Sequence, residues 1–107
     1  MVTEEKLLET VERMRSIPII RDGLALLEKR LPNNLSYHSF AHTQEVLHDA
    51  MWFGLVDALS PRSLELLAIA AVMHDMGFIQ TPQANEAIGA KYARAAMLKA
   101  GGYSDQE

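Results

Sequence analysis

The sequence of 107 residues contains no cysteine, which excludes disulfides and thiolate metal ligands. Basic residues are also few, because 10 Lys and Arg stand against 14 Asp and Glu for a net charge of −4. No basic patch stands out, so a protein that coats nucleic acid is excluded. The longest apolar run, residues 66–73, is too short to span a bilayer. The acidic, amphipathic N-terminus differs from a signal peptide, and we therefore expect a soluble, cytoplasmic protein.

Apolar residues make up 49% of the chain, which is typical of a single globular domain of this length. They recur at the spacing of amphipathic helices, and prolines and glycines separate the periodic segments. The predicted helices span about residues 3–18, 19–31, 37–58, 61–76 and 83–100. No segment alternates as a strand would, so we predict an all-α fold, a bundle of about five helices.

The fourth predicted helix has clear end signals and an unusual composition. Ser60 is a good N-cap, Pro61 suits the first helical position, and Gly77 is a candidate C-cap. Apart from Arg62 and Glu65, the helix is apolar nearly all round. A helix of this kind belongs in the middle of a bundle, in contact with several others.

The last residues of the sequence contain a pattern typical of the start of a helix. Gly101 and Gly102 should stop the fifth helix, and the Ser104-x-x-Glu107 spacing that follows is typical of a capping box at the start of a helix. Either a further helix belongs here, supplied by this chain or by a partner, or the pattern arises by chance.

The candidate metal-binding and catalytic residues of the sequence include its histidines. His74 and Asp75 close the apolar fourth helix, where an unpartnered buried carboxylate would cost several kcal/mol. His38 and His42 are four residues apart and share a face if the third helix starts early enough. Imidazole and carboxylate together suit zinc, manganese, iron, cobalt or magnesium. We interpret His48 as a surface residue.

The segment YHSFAHTQEV, followed by HDMGF after an apolar helix, resembles the HD-domain family of metal-dependent phosphohydrolases. The resemblance covers residues 34–107. It implies that His42, His74 and Asp75 bind a divalent metal ion. It further implies that His38 and Asp75 are catalytic residues, with His38 protonating the leaving oxygen.

Two positions depart from the family pattern. Many relatives have His-Glu where this chain has Asn85 and Glu86, and an asparagine is a poor ligand for a second transition metal. A distal aspartate usually completes the first metal's shell, and Asp105 is in the wrong context to replace it. We therefore interpret residues 1–107 as a single HD-type domain that is shortened at its C-terminal end.

The resemblance implies hydrolysis of a small phosphate ester or nucleotide, not of a nucleic-acid polymer. One alternative is an impaired HD-like helical module that acts in self-association or in ligand or metal binding. For either function we expect a homodimer, with or without exchanged helices, because a shortened bundle would expose apolar surface. Another alternative is a plain bundle in which the histidines and Asp75 only hydrogen-bond to one another.

Overall fold

The computed structural model describes residues 1–30, 40–74, 76, 86–104 and 106–107, with the side chains of residues 86–89 left aside. Several positions singled out in the sequence lie outside these residues. They are His38, Asp75, Gly77, Asn85 and Asp105. The roles predicted for these five residues therefore stay predictions.

The described residues form five helices and no strand, which confirms the all-α prediction. The helices are α1 (Glu4–Ser16), α2 (Pro18–Arg30), α3 (Phe40–Val56), α4 (Pro61–Met73) and α5 (Glu86–Ala100). None of these described helices combines the length and the apolar character that crossing a membrane requires.

The helix starts follow capping chemistry that is visible in the sequence. The Thr3 side chain accepts a hydrogen bond from the Lys6 amide at 3.1 Å and caps α1. Ser60 caps α4 in the same way, and Pro61 occupies the first turn of that helix as predicted. Pro18 begins α2 instead of only closing α1, because its fixed φ suits a first helical turn.

Helix α4 occupies the centre of the bundle, as its apolar composition predicts, and contacts α2, α3 and α5. It crosses α3 at Gly54, where an added Cβ would lie only 2.6 Å from the Leu64 Cδ2 atom. A side chain at this position would therefore require the buried Leu64 side chain to shift. In α1, Leu7 is buried in the core, and its apolar neighbour Leu8 is 52% exposed.

The C-terminal end of α4 lies earlier than predicted. The helix ends at Met73, and His74 is its C-cap, still in helical conformation, with its amide bonded to the Ala70 carbonyl. The Met76 amide then bonds to the Met73 carbonyl at 3.1 Å, three residues back. This tighter turn ends the α-helical pattern while it returns Met76 to the core, where it is 2% exposed.

Candidate metal centre

The first imidazole of the candidate centre belongs to His42, in the first turn of α3. Its ring is half-buried, and the next residue, Thr43, is fully buried in the bundle. The packing of α3 against α4 therefore fixes the backbone that carries His42, while the ring itself keeps access to solvent.

The second imidazole belongs to His74, at the C-cap of α4. Its Nδ1 atom lies 2.5 Å from the carbonyl oxygen of Ala71, one turn earlier. A carbonyl oxygen can only accept, so Nδ1 carries the hydrogen and the lone pair of the neutral ring is on Nε2. Metal-binding histidines commonly have one ring nitrogen bonded to a backbone carbonyl in this way.

The two imidazoles meet although they come from different helices. Their ring centroids lie 6.4 Å apart, with the planes inclined at 67° in an edge-to-face arrangement. Two imidazoles on one ion, with metal–nitrogen bonds of about 2.0–2.1 Å, bring their centroids to roughly 5 Å. At 6.4 Å the two rings are farther apart than two ligands of one ion, so a shared ion requires the two side chains to move closer together.

The rest of the predicted site is not described. Asp75 follows His74 directly, and His38 precedes His42 by four residues in the sequence, but both lie outside the described residues. Within the described part of the chain, no group of three His, Asp or Glu residues is arranged to hold a metal. The structure thus brings together two of the three predicted ligands, and Asp75 stays a predicted third.

His48, on the same helix as His42, has a different environment. Its side chain is 48% exposed, and Nδ1 lies 3.3 Å from Oδ1 of the exposed Asp49. The prediction that His48 is a surface residue is confirmed, and the residue offers a matched control for His42.

A polar cluster at the other end of α4 was not predicted from the sequence. We call it the Arg62 cluster, and its members are Arg62, Glu65, Tyr103 and Glu107. Arg62 donates from Nε and Nη2 to the two carboxylate oxygens of Glu107, each at 2.9 Å, and its guanidinium lies 4.4 Å from the centroid of the Tyr103 ring. Glu65 accepts from Arg62 Nη1 at 3.1 Å and from the Tyr103 hydroxyl at 2.6 Å.

The contacts of the Arg62 cluster change the acidity of its members. Hydrogen bonding to Arg62 lowers the pKa of Glu107 to about 2, with a further contribution from the Ser104 amide. Burial raises the pKa of Tyr103 to about 12, and the hydrogen bond to Glu65 adds to this rise. Of these contacts, only the one between Glu107 and the Ser104 amide has a sequence signal, namely the capping-box spacing.

Comparisons of the chain with protein-family models, with curated proteins and with solved structures found no match. Any functional assignment therefore depends on the chemistry of the chain's own residues. Among those described, His42 and His74 are the predicted metal ligands, and their rings lie near each other.

Proposed function

We propose that the protein is a metal-dependent hydrolase of small phosphate esters or nucleotides, with an HD-type site on a helical bundle. The observation that carries the proposal is the meeting of His42 and His74, from two helices, at a centroid distance of 6.4 Å. The order of motifs along the chain supports it, since Asp75 directly follows the second of these histidines.

In this proposal His42, His74 and Asp75 hold one divalent ion, of manganese, iron, zinc, cobalt or magnesium. Such an ion supplies a Lewis acid for a phosphoryl oxygen and brings the pKa of a water toward ~7. Two neutral imidazoles and one carboxylate leave a local charge of about +1, which favours a phosphate group.

The chain's own residues have separate tasks around the reacting phosphate. The Ala71 carbonyl keeps the hydrogen of His74 on Nδ1 and so orients the ring with Nε2 as the ligand atom. Met73 and Met76 are 3% and 2% exposed, so they hold the chain in the core on both sides of His74, whereas His74 itself is exposed. In the proposal His38 donates a proton to the departing oxygen, as a general acid.

The test is a panel of phosphate monoesters and nucleotides, assayed with manganese, iron, zinc, cobalt or magnesium added. We expect metal-dependent hydrolysis that falls at least about 100-fold in His42→Ala and in His74→Ala. His48→Ala changes an exposed imidazole on the same helix as His42 and should keep full activity. Hydrolysis that is absent, or that survives in His74→Ala, would contradict the proposal.

A second candidate function is self-association without catalysis, and one observation favours it. Three large apolar side chains near the end of α3 face solvent, with Trp52, Phe53 and Val56 exposed by 39%, 65% and 54%. Exposed apolar groups that lie together commonly mark an association surface. According to this second candidate function, two copies of the chain form a homodimer through that surface, with or without exchange of helices.

Light scattering at micromolar concentration tests the dimer. We expect twice the mass of one chain for the parent and a monomer for Phe53→Ser, because the serine removes the most exposed aromatic ring of the surface. Leu98→Ser, which removes a 66% exposed side chain from α5, is the matched control and should remain dimeric. A monomeric parent would contradict this candidate.

A further inference from the structure

A groove of about 380 Å³ runs between α2 and α5, with the end of α4 as its floor. We call it the α2–α5 groove. Its apolar lining includes Gly23, Leu26, Met73, Met76, Tyr92 and Ala96. The volume falls within the range of small-molecule sites, which are typically apolar clefts with a few polar groups.

The floor of the groove is made of adaptable side chains. A Cβ added at Gly23 would lie 3.1 Å from the Met73 Cε atom and 3.4 Å from the Met76 Cε atom. The glycine therefore brings the α2 backbone directly against two thioether methyl groups. Methionine side chains are flexible and polarisable, so this floor can adjust to the shape of an apolar guest.

On the α5 side, the groove is lined by a small residue, Ala96, which leaves space between α2 and α5. Ala96 lines the groove one turn after Tyr92, and both are half-buried. On the other side Leu26 of α2 is also half-buried. The space between the two helices is thus apolar along its length and open to solvent at its top.

The rim of the groove includes two charged side chains. Asp22 and Lys99 both line it. Asp22 lies 3.1 Å from Nε of Arg21, which compensates its charge. Among the described residues Lys99 has no ion-pair partner. An apolar cleft beside an unmatched ammonium group is complementary to a molecule with an apolar body and one negative charge.

We propose that the α2–α5 groove binds a small amphipathic carboxylate of the medium-chain fatty-acid class. The hydrocarbon chain lies over Met73 and Met76, and the carboxylate lies beside Lys99. This site is distinct from the imidazole pair and does not depend on the proposed hydrolysis, although its floor includes the residue before His74.

The test uses decanoate, below its micelle concentration, and protein labelled with ¹³C at the methionine methyl groups. We expect saturable shifts of the Met73 and Met76 methyl signals, assigned through Met73→Leu and Met76→Leu. Decanol, which has the same chain and no charge, should bind at least about 10-fold more weakly.

Two variants separate the charge from the cavity. Lys99→Glu should weaken decanoate binding at least about 10-fold, whereas Lys91→Glu, an exposed lysine of α5 outside the groove lining, should leave it unchanged. Ala96→Phe should block binding by filling the groove. Lys99 is exposed, so Lys99→Glu should fold normally. The comparison of Lys99→Glu with the parent therefore remains valid even if Ala96→Phe impairs folding.

Three outcomes would overturn the proposal. One is the absence of shifts at Met73 and Met76, and another is equal binding by the parent and Lys99→Glu. The third is a change of oligomeric state in Ala96→Phe without any decanoate binding to the parent. That last result would make the groove an interface between copies of the chain.

Discussion

The two ends of helix α4 present opposite kinds of polar chemistry. At its N-terminal end, Arg62 meets the carboxylates of Glu65 and Glu107, so positive and negative groups satisfy one another within the chain. At its C-terminal end, His74 meets His42, and two groups of the same kind come together. A closed network of opposite charges stabilises structure, whereas imidazole nitrogens are common ligands of divalent metal ions.

This contrast explains why the more conspicuous cluster is not the functional candidate. The Arg62 cluster has the more extensive hydrogen bonding, and each of its charges has a partner within the cluster. The Arg62 guanidinium also donates to the Gly102 carbonyl at 2.5 Å, which ties the chain after α5 to the first turn of α4. The Arg62 cluster therefore stabilises the packing of the chain after α5 against α4. The pair of His42 and His74 is the candidate metal centre.

The largest expected effect comes from the middle of α4, which joins the two ends. Ile69 is 2% exposed, and Ile69→Ala should lower the free energy of unfolding by about 2–5 kcal/mol, because it leaves a cavity in the core. Chemical denaturation followed by circular dichroism measures this change. Ile69→Val is the matched control and should cost about 0.5–1.5 kcal/mol. A loss below that of the valine variant would contradict the central position of α4.

The next effect concerns the alkaline titration of the Arg62 cluster. The folded pKa of Tyr103 is about 12, against an ordinary value of 10.0. The protonated Tyr103 hydroxyl therefore contributes its full stabilisation of the folded state below pH 10, and this stabilisation is lost as the pH rises toward 12. Ultraviolet absorbance of tyrosinate should show a late step near pH 12 that disappears in Tyr103→Phe and persists in Tyr92→Phe. Complete titration near pH 10 would show that Tyr103 is not held as described.

A smaller effect is expected at the N-cap of α4. The Ser60 side chain accepts a hydrogen bond from the Ser63 amide at 3.1 Å. Ser60→Ala should lower the free energy of unfolding by about 1 kcal/mol, because that amide loses its acceptor. Thermal unfolding measures the loss, and Ser60→Asp, which restores an acceptor, should recover most of it. An alanine variant as stable as the parent would rule out the cap.

Local features of the fold were predictable from the sequence because their causes are local. Helical periodicity and cap residues identified the five helices, and Ser60 caps α4 as predicted. The apolar circumference of α4 indicated its central place. The predicted end of α4, about Met76, was wrong by three residues, because the periodic pattern continues through a turn that is no longer α-helical.

Features that depend on distant pairs were not predictable. Arg62 and Glu107 are 45 residues apart, and no periodicity links them. The α2–α5 groove likewise depends on how α2 and α5 lie against the end of α4. The histidine pair was predicted only through the HD-domain resemblance, since spacing alone does not bring His42 of α3 to His74 of α4.

We propose that the C-terminal end of α4 binds a metal ion, whereas the Arg62 cluster at its N-terminal end contributes to structure. Elemental mass spectrometry of the purified protein, after loading with manganese, iron or zinc, tests it most directly. We predict close to one ion per chain in the parent and in Arg62→Ala, and loss of that ion in His74→Ala and Asp75→Ala. A parent without metal, or an ion retained in His74→Ala, would contradict the account.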